Sequence, residues 1–231
     1  VLPLMLLPSA LIGSIGTALL PIVTAAHATG NRARVRALVG RAVMTVGLIG
    51  IPATAVLIPL APSLSLLLFA QPLTLRYAAL TGAAAVAMYY QMITSGLLNA
   101  LGLQNRSVLT AVLAEFVQLA LVLRWCSRPA LGIYGYLLAM LLSGAGAAFF
   151  NLAVLHHATG FALRPMRRLG LPLMCGAAAG LWTRLFALLF SAHVASPVLA
   201  LAMTLAGAGM LCLALLRLCG LHPLRYLAAR R

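Results

Sequence analysis

Long apolar runs bounded by Arg, Pro or Gly-Asn dominate the pattern of hydrophobic and polar positions along the chain. A bilayer core about 30 Å thick needs roughly 20 apolar residues per helix, so each run can cross it once. The pattern predicts an all-α fold, a polytopic membrane helical bundle without a soluble domain. Its predicted spans are Leu2–Ala26, Ala37–Leu60, Tyr77–Leu98, Val108–Leu123, Leu131–Leu155, Leu169–Phe190 and Pro197–Leu218.

Composition supports a chain that is solvated by lipid. Of 231 residues, 64% are hydrophobic and 7% charged, whereas soluble globular proteins carry roughly 25% charged residues. All 16 basic residues are Arg, and they form short clusters between the apolar runs. This pattern is typical of the loops of a membrane protein and not of a basic groove, so no nucleic-acid partner is predicted.

The scarcity of acidic residues limits the chemistry that the chain can perform. Its single carboxylate is Glu115, whereas paired-acid hydrolysis and carboxylate-held Mg²⁺ both need more than one acid. The four cysteines show no CxxC spacing, and most lie in or beside apolar runs, where a thiol behaves as a small hydrophobe. We therefore expect no enzyme activity, no metal site and no cofactor.

The arginines also predict an orientation, because cytoplasmic loops retain positive charge. The odd-numbered connections and the tail hold 12 Arg, and the even-numbered connections hold 3. This bias places the C-terminus in the cytoplasm and Val1 on the outer side. An outward start in turn predicts that helices are missing upstream.

The segments between the predicted spans also carry structural signals. The segment Asn31–Arg41 is expected to be an amphipathic surface helix that leads into the second span and sets its Arg side chains against anionic lipid headgroups. The segment Pro62–Pro72 is too short to cross the membrane and is expected to form a separate interfacial helix. Gly30 and Gly160 each end a His-Ala-Thr-Gly block, which indicates either a duplication or, as we favour, helix C-caps.

Polar residues within the first predicted span are candidates for a cavity wall, since a polar side chain in hydrocarbon must face protein or water. Those on one face are Ser14, Thr17, Pro21 and Thr24. Pro8 and Pro21 both interrupt the backbone hydrogen bonds and are candidate hinges. Close packing through the neighbouring glycines is the alternative interpretation.

The third span is the most polar. Its candidate substrate-path residues, spaced to form a stripe, are Gln91, Thr94, Ser95 and Asn99. Amide and hydroxyl side chains suit the neutral, directional hydroxyls of a sugar. Hydrogen bonding between helices is the competing explanation.

The fourth span carries Glu115 near its middle and Gln118 one turn later. A lone carboxylate in the membrane must pair with a cation, take up a proton or face water. Arg184 in the sixth span is a conceivable partner, and so is a residue of the missing upstream part. The fifth span has a ridge of small residues at four-residue spacing that we expect to serve packing: Gly135, Ala139, Ser143 and Ala147.

Three blocks of the sequence resemble a known family. Leu7–Ile22, followed by Gly30-Asn31-Arg32, resembles the eighth helix and basic exit loop of polysaccharide-precursor exporters of the stage V sporulation protein B type. Gln91–Gly102 resembles the tenth helix of that family, and Leu131–Gly135 the turn that opens its twelfth. The order and spacing of the blocks match over nearly the whole chain.

The resemblance implies a member of the multidrug/oligosaccharidyl-lipid/polysaccharide exporter superfamily. Residues 1–155 would then be family helices eight to twelve of a MATE-like second bundle, and residues 156–231 two additional helices and a basic tail. The implied function is a flippase for a lipid-linked glycan in the bacterial plasma membrane. A cation-coupled multidrug antiporter is the alternative. The sequence departs from the family at Glu115, where an apolar residue is expected, and at Gln118, where a basic one is common.

Overall fold

The computed structural model describes residues 2–71, 73–128, 131–161, 170–193 and 197–218. These residues form seven α-helices and no strand, which confirms the all-α prediction. The helices are α1 Leu2–Ala28, α2 Arg32–Phe69, α3 Leu75–Ala100, α4 Gln104–Cys126, α5 Gly132–Thr159, α6 Leu171–His193 and α7 Pro197–Leu218.

Five of these helices, α1, α2, α4, α5 and α6, are long and apolar enough to cross a membrane. The central helix α3 is long enough as well, but its polar residues keep it out of this group. By length and composition, the chain is therefore a membrane-spanning helical protein.

The helices pack as a layer in the order α4, α5, α3, α2, α6 and α7, and α1 lies against both α2 and α3. The core lies where α1, α2, α3 and α5 meet, and its largest fully buried side chains include Tyr89, Leu97 and Leu155. The Tyr89 hydroxyl donates to the backbone carbonyl of Met5 and so ties α3 to the start of α1. Because α3 contacts four other helices, polar side chains on it can bridge several elements.

Helix α2 begins as an amphipathic segment, as predicted. The Asn31 Oδ1 atom accepts a hydrogen bond from the Arg34 backbone N–H at 3.0 Å and caps the helix. Val35 is buried, whereas Arg32, Arg34 and Arg36 are exposed. The apolar side faces the core, and the three arginines are on the exposed side; their contact with lipid headgroups stays a prediction.

The prediction of a separate helix within Pro62–Pro72 is wrong, because α2 continues through Pro62 to Phe69 and ends at Ala70, which has a left-handed φ of 52°. Proline removes one backbone hydrogen bond but keeps a helical φ, so a well-packed helix can continue across it. The buried Ser65 hydroxyl donates to the Gln71 carbonyl at 3.0 Å and stabilises this end. With 38 residues, α2 is about 57 Å long and exceeds the hydrocarbon core.

The two His-Ala-Thr-Gly blocks end helices, which confirms the capping interpretation. Gly30 and Gly160 have left-handed φ values of 67° and 65°. The Gly160 N–H donates to the His156 carbonyl at 2.8 Å, and the Gly30 N–H to the His27 carbonyl at 3.0 Å. We call the end of the bundle where α1 and α5 finish and α2 begins the basic end.

Candidate functional site

A buried hydrogen-bonded group joins α3 to α5. The amide nitrogen of Asn151, a side chain that is 1% exposed, donates to Thr94 Oγ1 at 3.3 Å and to Ser95 Oγ at 3.0 Å. Thr94 also donates to the Tyr90 carbonyl at 2.6 Å. The structure thus assigns Thr94 and Ser95 to contacts between helices, and we name Thr94, Ser95 and Asn151 the α3–α5 polar cluster.

Sequence reasoning did not single out Asn151, although a signal was present. It is an amide within the otherwise apolar stretch that precedes His156, and such residues are functional candidates by default. Its side-chain Oδ1 atom is buried and has no hydrogen-bond partner. The hydroxyl of Tyr90, one turn before Thr94, is also buried without a partner. A buried polar atom without a partner costs about 1–3 kcal/mol, so this interface has unused hydrogen-bonding capacity.

The other two polar residues of α3 lie beside this cluster. Gln91 is half-buried, and its Oε1 atom lies 3.8 Å from the place where a Cβ atom on Gly144 of α5 would be. Asn99 is exposed near the basic end of α3. The predicted stripe therefore runs from the α5 contact outward to the surface.

Helix α1 presents two different faces. Its glycines pack on α3, because a Cβ atom on Gly13 or Gly16 would lie 3.1–3.2 Å from the side chains of Met92 and Ile93. Ser14 and Thr17 are exposed, and their hydroxyls donate to carbonyls one turn earlier in α1, each at 2.9 Å. The glycine face serves packing, whereas Ser14, Thr17 and Thr24 form an exposed hydroxyl face that touches α3 only at Thr24.

The two candidate hinges lie inside a continuous helix. Pro8 is buried and Pro21 is exposed, and α1 is helical across both. Because Pro21 has no N–H, the carbonyl of Thr17 lacks its usual helical donor. Thr24, one turn further, donates to the Leu20 carbonyl at 3.0 Å and to the Ala100 carbonyl of α3 at 3.3 Å. Thr17 is exposed, so its carbonyl is a candidate acceptor on the hydroxyl face of α1.

The polar residues of α4 point in different directions. Gln118 is half-buried and accepts a hydrogen bond at its Oε1 atom from the Ser143 hydroxyl of α5 at 2.8 Å. Glu115 is exposed on the outer face of α4, where Val112 and Leu119 are 46% and 55% exposed. Gln118 thus joins two helices, whereas Glu115 faces the surroundings of the chain.

The conceivable pair between Glu115 and Arg184 is not formed. Helix α4 packs on α5 and α3, whereas α6 packs on α2 and α7, so the two side chains belong to different parts of the layer. Arg184 is exposed on α6. Both residues lie within predicted spans. Each is therefore exposed on the surface of the bundle and is not paired with the other.

The small-residue ridge of α5 is buried and contacts α4, as expected for packing. A Cβ atom on Gly135 would lie 2.9 Å from the Cβ atom of Trp125 and 3.0 Å from its backbone carbon. Ala139 and Ala147 are buried on the same ridge. The only polar member, Ser143, contributes the hydrogen bond to α4.

The candidate polar residues thus occupy four places: the hydroxyl face of α1, the α3–α5 polar cluster with Gln91 beside it, the exposed end of α3 at Asn99, and the two sides of α4. Within the described ranges, no three His, Cys, Asp or Glu residues come together in a group that could hold a metal ion. Compared with known proteins, the sequence matches no family model and no curated protein.

Proposed function

We propose that the chain is part of a membrane flippase that moves a lipid-linked glycan precursor across the bilayer by alternating access. The proposal is supported by the resemblance of three sequence blocks to polysaccharide-precursor exporters and by the multi-pass helical bundle. The substrate would be an undecaprenyl-type lipid carrying an oligosaccharide. A MATE-like N-terminal bundle of the same protein would complete the transport path, as two bundles rock about a site between them.

The observation that carries the proposal is the hydroxyl face of α1. This helix is apolar enough to span the membrane, yet it presents Ser14, Thr17 and Thr24 on an exposed face. Hydroxyls and the open carbonyl of Thr17 can exchange hydrogen bonds with sugar hydroxyls as a substrate passes. The N-terminal bundle would lie opposite this face and close the cavity.

The position of Glu115 favours this function over a cation-coupled antiporter. A cation exporter needs an acid on its transport path. Glu115 lies on the outer face of α4, and α4 packs on α5 and α3, whereas α1 packs on α2 and α3. The acid therefore lies on a helix that is not a main packing partner of α1.

The proposal places the basic end in the cytoplasm of a bacterium, with the protein in the plasma membrane and its C-terminus inside. Membrane lipids would be its surroundings, and nucleic acid would not be a partner. The basic end holds Arg32, Arg34 and Arg36, in agreement with the tendency of cytoplasmic loops to retain Arg.

Substitution of the α3 stripe tests the function in the full-length exporter. Gln91→Ala or Asn99→Ala is expected to lower translocation of a lipid-linked sugar in proteoliposomes about tenfold, since one lost hydrogen bond to a polar substrate is worth roughly 1–1.5 kcal/mol. Membrane abundance should remain unchanged. Asn105→Ala is the matched control, since Asn105 is exposed at the start of α4. It should change neither translocation nor membrane abundance.

Asn151→Ala provides the structural comparison for this experiment, because it removes the two hydrogen bonds that join α3 to α5. Abundance and translocation should fall together in that variant. If Gln91→Ala behaved in the same way, this residue would merely hold helices together. If the exporter moved organic cations against a proton gradient and no lipid-linked sugar, the antiporter would replace the flippase.

Cysteine labelling tests the orientation. In a chain whose native cysteines are replaced by serine, a cysteine at Ser127, an exposed position after α4, should react with an impermeant thiol reagent added outside. A cysteine at Asn31, at the basic end, should react only after the cells are opened. The reverse labelling pattern would place the basic end outside.

A further inference from the structure

A cavity of about 530 Å³ lies at the basic end, where four segments meet. Its lining residues come from the end of α1, the start of α2, the connection between α3 and α4, and the end of α5. They include His27 and Arg32, which are exposed at its rim, and Val35 and Leu101, which are buried at its base. The cavity thus combines a cationic rim with an apolar base.

One wall of this cavity is held by a second arginine, Arg36. The Arg36 Nε atom donates to the backbone carbonyl of Thr159, a lining residue, at 3.3 Å. The guanidinium lies over Gly160, where a Cβ atom would be 3.3 Å from Nη2. Gly160 has a left-handed φ of 65°, so both its backbone and its lack of a side chain suit this approach. Arg36 is therefore a positioning residue that fixes the end of α5 next to the cavity.

The positive charge around the cavity has no carboxylate side chain beside it within the described residues. Glu115 is the only acidic residue of the protein. It lies 12 positions after the lining residue Leu103, which corresponds to about 18 Å along helix α4. Salt at physiological strength screens charges over about 8 Å, so this carboxylate cannot neutralise the rim. An anion must come from outside the chain.

We infer that this cavity is a binding site for a phosphate-bearing anion. Arg presents a planar set of N–H donors that matches phosphate oxygens, and His27 at the same cavity can supply another donor. The partial positive charge at the start of α2 adds to the same field. The apolar base suits the hydrocarbon part of a lipid, and the phosphate would lie at the rim. The inference concerns binding and stands independently of the proposed transport function.

Two sources could provide this phosphate: the headgroup of an anionic lipid, or a free phosphate such as pyrophosphate. Binding is measured with the purified full chain in neutral detergent, using fluorescent dioctanoyl phosphatidic acid as the probe. Dioctanoylglycerol, which has the same tails and no phosphate, is the comparison ligand. We expect saturable binding of the first and none of the second. Equal binding of both would contradict a phosphate site.

Substitution of the rim locates the site. Arg32→Gln is expected to weaken binding of phosphatidic acid about tenfold, because a charge-assisted hydrogen bond is lost. Arg41→Gln is the matched control: it makes the same change of charge at an exposed position of the same helix that does not line the cavity. It should change binding less than about twofold, since phosphate in the cavity contacts the rim and not this position. Equal weakening by both substitutions would mean attraction to the whole basic surface and would overturn the site.

Competition distinguishes the two sources. Displacement of the probe by sodium pyrophosphate, with the same loss in Arg32→Gln, would show that the phosphate alone is recognised. If pyrophosphate did not displace the probe, the apolar base of the cavity would be contributing to the binding of the lipid. Both results support a phosphate site at the rim, whereas saturable binding that is unchanged in both Arg32→Gln and a second rim variant, His27→Ala, would refute it.

Discussion

Gly135→Val is expected to lower the free energy of unfolding of the chain by about 2–3 kcal/mol, because it adds volume to a tightly packed helix contact. Even a single Cβ atom at this position would lie 2.9–3.2 Å from three atoms of Trp125, two of which belong to the backbone. A backbone cannot rotate away as a flexible side chain can. Helices α4 and α5 would therefore have to separate, and the hydrogen bond between Ser143 and Gln118 would weaken with them.

Gly146→Val is the matched control, since it makes the same change on the same helix. A Cβ atom on Gly146 would meet nothing within 4 Å. Loss of glycine also slightly favours the helix, so stability should be unchanged or higher by a few tenths of a kcal/mol. Both variants are compared by urea-induced unfolding in detergent. Equal destabilisation would mean that valine disturbs α5 itself and that the contact with Trp125 is unimportant.

Local pattern was sufficient to predict the helices, because the length of an apolar run and its boundaries depend on neighbouring residues. It failed at the end of α2, where Pro62 resembles a helix breaker. The structure retains the helix there because Val56 and Leu60 are buried against Ala179 of α6 and Ala208 of α7. A breaker within a packed helix costs hydrogen bonds that such contacts offset. Contacts of that kind are invisible in a single local window.

The hydrogen bonds of the candidate site also could not be predicted from local sequence pattern. Periodicity placed Thr94 and Ser95 on one side of α3, but their partner Asn151 lies 56–57 positions away on a helix that runs beside it. No local rule specifies that α3 packs on α5. For the same reason, Ser143 was assigned to a packing ridge, although it is also the donor to Gln118. The residue types were informative, and the pairings required the tertiary structure.

Glu115→Leu is expected to make insertion of α4 into a membrane more favourable by about 3 kcal/mol, the difference between a charged residue and Leu at the centre of a transmembrane helix. Glu115 is the twelfth of the 23 residues of α4, so about 17 Å of helix lies on either side of it. Its neighbours on the outer face are large and apolar, including Phe116, which is 66% exposed. Insertion is measured with the isolated α4 segment in a glycosylation assay that reports how much of it is integrated.

Gln118→Leu distinguishes the effect of a polar residue on membrane insertion of α4 from its effect on the packing of α4 against α5. It also removes a polar group near the middle of α4, so the isolated segment should insert better than the original one, although by less than Glu115→Leu. In the whole chain, however, this variant leaves the Ser143 hydroxyl without its Gln118 acceptor. The Ser143 hydroxyl retains the Met140 carbonyl as a second acceptor at 3.2 Å. The free energy of unfolding should therefore fall by only about 0.6 kcal/mol, the average for a hydrogen bond between membrane helices.

Glu115→Leu should not lower the stability of the whole chain, because Glu115 makes no ion pair within the described residues and nothing there is lost with it. Stability of the chain in lipid vesicles should stay equal or rise, while integration of α4 improves. A fall in stability would mean that a cation covers the carboxylate when the protein is in a membrane. Arg184 would not be that cation, since it lies on α6, which packs on α2 and α7, whereas α4 packs on α5 and α3.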